Sequence, residues 1–351
     1  MSDRSLIFVA GSGRSGTSLF SGMLQRLGYH VPQPEVPADD TNPKGFAESQ
    51  WVVDFHTKLL RRAKVQVSDA RPAAWAETAQ VTLDEEVEAE LRTWLQGQFA
   101  QHGHLIIKDP RLSWFLPLWR RVAEGSGVTP RFVTMLRHPA AVIASKQRWY
   151  GGWQGEAARC AGWVNFTLYT ERATRDAPRV FVHYEDLLDD WTKTIGHVGE
   201  VLDLSVVRDA SAQSMREVHD FVDRSLSRSS SDWEAFRIPA PLREQADEVW
   251  ELVSGLAQSD GIADAETVER LEAARVAYIA LYEEAEAIAQ SSIAAATRAK
   301  PAAAAVTARR NVPVQVRLAQ MVPVGLKRRI PLSFKRRVLR ALKGQRRPKV
   351  A

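Results

Sequence analysis

One cysteine, Cys160, stands among 351 residues. A lone thiol excludes an internal disulfide framework and a cysteine zinc site. Long apolar runs are missing too: no stretch approaches the ~18 apolar residues of a membrane span. The apolar run Leu6 to Ala10 is too short for the core of a secretory signal, and a glycine-rich segment follows it at once. These absences predict a cytoplasmic, reducing location. Of the eight histidines only His102 and His104 lie close together, and no His-x-x-x-His occurs, so no metal site is expected. One whole segment lacks acid. Residues 309–351 hold fourteen Lys/Arg and no Asp/Glu, which leaves 33 basic against 42 acidic residues over 1–308, a net of −9. The overall charge of +5 therefore belongs to the tail. An acidic body argues against nucleic acid as a partner.

What is present begins with a buried-strand pattern, Leu6 to Ala10, then Gly11-Ser-Gly-Arg-Ser-Gly-Thr-Ser18, then apolar residues at helical spacing up to Leu27, with Gly28 as the cap. Strand, glycine loop and helix open an α/β domain. Further strands are predicted at 105–107, 131–136 and 179–183, with helices at 50–63, 83–100, 114–123, from 140, 159–173 and 191–202. Residues 31–47, rich in Pro, Asp and Gly, are predicted as a loop. Beyond about 240 the pattern is helical only. The expected division is an α/β domain over 1–240, a helical extension over 241–290, an Ala-rich linker over 291–308 and a basic amphipathic tail over 309–351.

Gly11-x4-Gly16 between a strand and a helix is a phosphate cradle, because backbone N–H groups and the helix start favour an anion. In nucleotide kinases and NTPases the next residue is a lysine that helps hold the β and γ phosphates. Here it is Thr17. A nucleoside triphosphate is thus a poor candidate, and Arg14 remains as the loop's cation.

Four segments, in order, resemble the sulfotransferase family that uses 3′-phosphoadenosine 5′-phosphosulfate. They are Gly11 to Ser18, Asn42-Pro-Lys-Gly-Phe-Ala-Glu48, Lys108-Asp-Pro-Arg111, and Leu136-Arg-His-Pro139 with Ser145 eight residues beyond Arg137. Tyr184-Glu-Asp-Leu187 resembles a further element. The likeness is to bacterial-type members near the glycan- and tyrosine-directed branches. It implies a P-loop-like, three-layer fold with a central parallel sheet flanked by helices, plus a helical C-terminal extension. It also implies roles. Gly13, Arg14, Ser15, Gly16, Thr17 and Ser18 would hold the 5′-phosphosulfate. Arg137 and Ser145 would hold the 3′-phosphate, and Tyr184 would meet the adenine. Lys108 and Arg14 would stabilise charge on the transferring group, and no metal is needed. Glu48 is the first candidate for general base, with His56 in reserve; a helix-start role for Glu48 is the alternative. Arg111, Arg148, Arg224 and Arg228 are further anion contacts to consider.

Eleven tryptophans are many for this length. Trp149, Tyr150 and Trp153 follow the 3′-phosphate motif closely and could face either an acceptor or the core, whereas Trp163 reads as core. The expected acceptor is a hydroxyl on a carbohydrate or glycolipid, or else a small alcohol or phenol. In the tail, Phe334, Val338, Leu339 and Leu342 share one helical face among basic residues. That pattern suits the surface of an anionic membrane, a peripheral attachment. Two rival readings come from other classes. One is a small-molecule kinase, which would need Mg²⁺. The other is a non-catalytic nucleotide-binding module that acts through its tail.

Overall fold

A computed structural model describes residues 4–151, 154–223 and 232–298. Four strands lie parallel in the order β2-β1-β3-β4: β1 (Ser5–Ala10), β2 (His104–Lys108), β3 (Pro130–Leu136) and β4 (Arg179–His183). Ile7 pairs with Ile106 on one side and with Arg131 on the other. Every residue of β1 is buried, as a central parallel strand covered on both faces requires.

Alternation along β1 builds two cores. Leu6 and Phe8 join Ile107, Phe132 and Trp119 under α2 (Gln50–Ala63), α4 (Glu85–Phe99) and α5 (Leu116–Gly125). Ile7 and Val9 point the other way. They join Val133 and Val182 under α1 (Thr17–Leu27), α9 (Trp191–Val201) and α11 (Ala212–Phe221). Between these lie α3 (Ala74–Val81), α8 (Tyr184–Asp189) and α10 (Ser205–Arg208). A third cluster gathers Ile143 of α6 (Pro139–Tyr150), Trp163 of α7 (Glu156–Thr174) and Phe181. It also holds Val249 of α12 (Ala240–Gln258) and Tyr278 of α13 (Ala265–Arg298). The structure is thus the expected α/β fold with helices on both faces of a parallel sheet.

The described residues up to Ala285 form one compact unit. Residues 291–298, read above as the start of a linker, continue α13 as helix. Their run of Ala suits a helix better than a flexible connection. The rest of the linker and the basic tail lie outside the described residues, as do Trp153, Arg224 and Arg228. No helix among the described residues is long and apolar enough to cross a membrane.

From β1 the chain steps to one neighbour, β2, and then crosses to the other, β3. Such a switch opens a crevice at the carboxyl ends of the strands, where ligands bind in open α/β sheets.

Candidate active site

The phosphate loop sits at that crevice. Arg14 has φ +78° and Gly16 φ +95°, with Ser15 between them donating its backbone N–H to the Ser12 carbonyl at 3.0 Å. Residues of alternating hand turn successive N–H groups toward one concavity, a nest for an anion. Gly16 caps α1 without a side-chain hydrogen bond, and the first turn of α1 has no acid to compete with an anion. A side chain at 16 has no room: a Cβ there would stand 2.4 Å from the Tyr184 ring. Ser15 is fully buried, and its hydroxyl has no hydrogen-bond partner among the described residues. An orphaned hydroxyl inside a loop with no carboxylate fits an anionic donor.

Three predicted donor residues meet beside the loop. Arg14 Nε donates to Ser145 Oγ at 3.0 Å, although the two are 131 positions apart. Arg137, just past the end of β3, donates from Nη1 to the Arg14 carbonyl at 3.0 Å. Its guanidinium lies 4.4 Å from the Tyr184 ring centroid. Burial lowers Arg137 from its ordinary value. Tyr184 is buried, with Arg137 over its ring and Gly16 against it, so it supports the loop and offers no open stacking face. The adjacent His138 accepts from the Ala140 N–H at 3.3 Å and so caps α6.

A second cluster lies at the end of β2. Lys108 Nζ donates to Glu48 Oε1 at 2.5 Å, to Ser18 Oγ at 2.9 Å and to the Phe46 carbonyl at 3.0 Å. Both charged groups are buried. The Asn42-to-Glu48 segment is shaped to allow this. The Gly45 N–H returns to the Asn42 carbonyl, Gly45 takes φ +87°, and the Glu48 carbonyl accepts from Val36. Glu48 therefore faces Lys108 and is not a helix cap. Burial raises its pKa, Asp109 adds to the rise, and Lys108 opposes it without cancelling it. A carboxylate raised in this way holds a proton more readily, which suits a general base.

Both ring nitrogens of His56 are engaged by its neighbours. Trp119 donates its indole N–H to His56 Nε2 at 2.8 Å. Indole can only donate, so Nε2 accepts and Nδ1 carries the hydrogen. That hydrogen goes to Asp109 Oδ2 at 2.8 Å, and His56 is fully buried. Burial alone would raise Asp109; the His56 hydrogen bond and the nearby Arg111 outweigh it and hold Asp109 below the usual carboxylate range. Arg111 Nη1 donates to Asp109 Oδ1 at 2.7 Å.

Trp149 and Tyr150 end α6 and are exposed; Arg14 and Arg148 lie over the Trp149 ring. Trp163 is core, as expected. Two site residues escaped the sequence reading. Lys146 is buried, with Nζ 3.2 Å from Ser12 Oγ and 3.3 Å from Ser68 Oγ. Arg159 of α7 is only 2% exposed and donates to the Gly151 carbonyl. A signal existed for the second: it is the one charge in Ala157-Ala-Arg-Cys-Ala161.

No curated relative matches the chain. Among solved structures it is similar to the sulfotransferase domain of the Synechococcus PCC 7002 olefin synthase, at 19% identity and a TM-score of 0.40, over 72% of this chain and 96% of that one. It is similar to the sulfotransferase domain of the curacin biosynthetic pathway, at 17% identity and a TM-score of 0.40, over 72% and 98%. The sulfotransferase STF1 of Mycobacterium tuberculosis H37Rv gives 16% identity and a TM-score of 0.35, over 72% and 77%. The sequence model of the sulfotransferase family matches residues 6–209, more than half of the sequence, and the chain belongs to that family.

Proposed function

We propose that the protein transfers the sulfuryl group of 3′-phosphoadenosine 5′-phosphosulfate to an acceptor hydroxyl, with Glu48 as the general base. The observation that carries this reading is the buried Glu48–Lys108 pair hydrogen-bonded to Ser18 of the phosphate loop. It sets a base and a cation beside one anion cradle. The bound donor supplies an already activated sulfuryl group. The residues then have positioning and charge stabilisation to do, as in phosphoryl transfer. The loop amides from Gly13 to Thr17, with Arg14 and the hydroxyls of Ser15, Thr17 and Ser18, hold the 5′ end. Arg137 and Ser145 hold the 3′-phosphate, which selects this donor over simpler adenine nucleotides. Lys108 neutralises charge near the reacting centre, and Glu48 takes the acceptor proton.

The acceptor is proposed to be a sugar, glycolipid or smaller alcohol or phenol. From its sequence alone, the tail is proposed to bring the protein to anionic membranes; co-sedimentation with anionic liposomes at low salt tests that. The main test is incubation with ³⁵S-labelled donor and a panel of lipid and glycan extracts, alongside titration with 3′,5′-ADP. Labelled product and nucleotide binding are expected without added metal. No product together with no nucleotide binding overturns the reading.

A further inference from the structure

A cavity of about 850 Å³ opens beside the phosphate loop. Its buried end is formed by Ser12, Lys146, Arg159 and Phe166, and its exposed rim carries Arg61 and Tyr150. Arg61, Arg111, Lys146 and Arg159 give it four cations, and among the described residues no Asp or Glu lines it. Leu60, Val65 and Phe166 supply apolar wall.

Two of the other buried cations hold a carboxylate: Lys108 has Glu48, and Arg179 lies 3.1 Å from Glu171. Among the described residues Lys146 meets the hydroxyls of Ser12 and Ser68 and no carboxylate, and an ammonium has three N–H groups to place. Arg159 reaches one carbonyl, and its Nη1 has no hydrogen-bond partner among the described residues. Two buried like charges are costly in the free protein, with Glu156 of the same helix opposing the cost at Arg159 only in part, and a bound anion would offset it. Burial lowers Lys146 to about 8, and the charge of Arg159 adds to that lowering. Gly13 at the loop's apex lines this cavity, and a Cβ there would meet nothing within 4 Å.

We propose that this cavity receives the acceptor, and that the acceptor is an amphiphile whose anionic group is held by Lys146 and Arg159 while its apolar body lies against Leu60, Val65 and Phe166. The assignment of this ligand as acceptor rests on the sulfuryl-transfer reading above. Because Lys146 is hydrogen-bonded to loop residue Ser12, the anion sits beside the phosphate loop, on the side from which the hydroxyl must reach the donor. A compact hydroxy acid on an apolar frame meets both requirements, and a neutral alcohol does not.

The test uses 6-hydroxy-2-naphthoate and its methyl ester, read by their own fluorescence, on the full chain with 3′,5′-ADP present. The acid is expected to bind at least tenfold more tightly than the ester. That ratio should fall toward one in Lys146→Met and in Arg159→Met and persist in Arg159→Lys. Taking the ratio within each variant separates lost charge from lost fold, because a misfolded variant loses the ester too. 6-Hydroxynaphthalene-2-sulfonate, a tetrahedral anion, distinguishes a carboxylate site from a phosphate-like one. Equal binding of acid and ester, an unchanged ratio in both Met variants, displacement of the acid by 3′,5′-ADP, or no binding of either probe would each overturn the proposal. If 3′,5′-ADP fails to bind but the acid preference and its loss persist, the donor reading falls and the anion site stands.

Discussion

Lys108 Nζ lies 2.5 Å from Glu48 Oε1, and both side chains are buried at the end of β2, against the phosphate loop. The pair joins two sequence motifs 60 positions apart and gives each a role that neither has alone. Lysine opposes the rise that burial imposes on the carboxylate, and the carboxylate orients the ammonium toward Ser18. Glu48→Gln keeps the size and the hydrogen bond and removes the basicity. Its kcat should fall by roughly 10² to 10⁴, the usual contribution of a general base, while 3′,5′-ADP binding changes little. Steady-state kinetics and nucleotide titration check this, and near-normal turnover with an intact fold would refute the role. Glu48 must be ionised to act, and burial raises its pKa. The acid limb of the kcat/KM profile should therefore lie above the ordinary carboxylate range.

His56 gives the complementary prediction. Its two ring nitrogens are committed to Trp119 and Asp109, so its contribution is structural. His56→Ala leaves a buried carboxylate short of a partner and opens a cavity, which should destabilise the fold by about 2–4 kcal/mol. The position of the acid limb should stay where it is. Urea unfolding and a pH–rate profile separate the two effects, and loss of the limb with full stability would return His56 to the list of bases.

Gly16 tests the loop itself. A Cβ at this position would meet Tyr184 at 2.4 Å, at a φ of +95° that side chains rarely adopt. Gly16→Ala should weaken 3′,5′-ADP binding more than tenfold, since loop and ring must both shift, at a strain of about 1–3 kcal/mol. Adding Tyr184→Ala removes the clash and should restore part of the loss. Unchanged affinity in the single variant would mean that the nest does not hold the nucleotide.

Much of this site was legible in the sequence because its chemistry is written in short local patterns. Gly11 and Gly16 take a hand of backbone that other residues resist, and Arg137 and Ser145 sit at a fixed step across a strand end and a helix. Strand positions were legible for a similar reason: doubly covered parallel strands read as apolar runs. What stayed hidden depends on long-range approach. Nothing near His56 in sequence reveals Trp119 and Asp109, which close on it from 63 and 53 positions away. Lys146 follows Ser145 directly. Successive helix residues point about 100° apart, so one faces Arg14 and the other enters a different cavity. Tyr184 shows the converse: its motif was legible, but only the packing shows the ring used against Gly16 and Arg137.

Lys146 carries a stability signature with a definite sign. Its pKa falls from 10.5 to about 8 in the folded protein, chiefly through burial, with Arg159 of α7 adding a repulsion that does not titrate in this range. Between those values the unfolded chain binds the proton more readily than the native one, so stability rises with pH across that window. Below about 8 the native state holds the charge at full cost, at most ~3 kcal/mol from the size of the lowering. Lys146→Met fills the same space without the charge. It should be more stable than the parent at pH 7 by about 1–3 kcal/mol, and the parent's alkaline rise should flatten in it. Residues kept for binding are commonly replaced with a gain in stability of this kind. Urea midpoints for both proteins at several pH values from 7 to 10 decide the matter. A variant less stable at pH 7, beside a parent with no alkaline rise, would show that Lys146 is not an uncompensated buried charge.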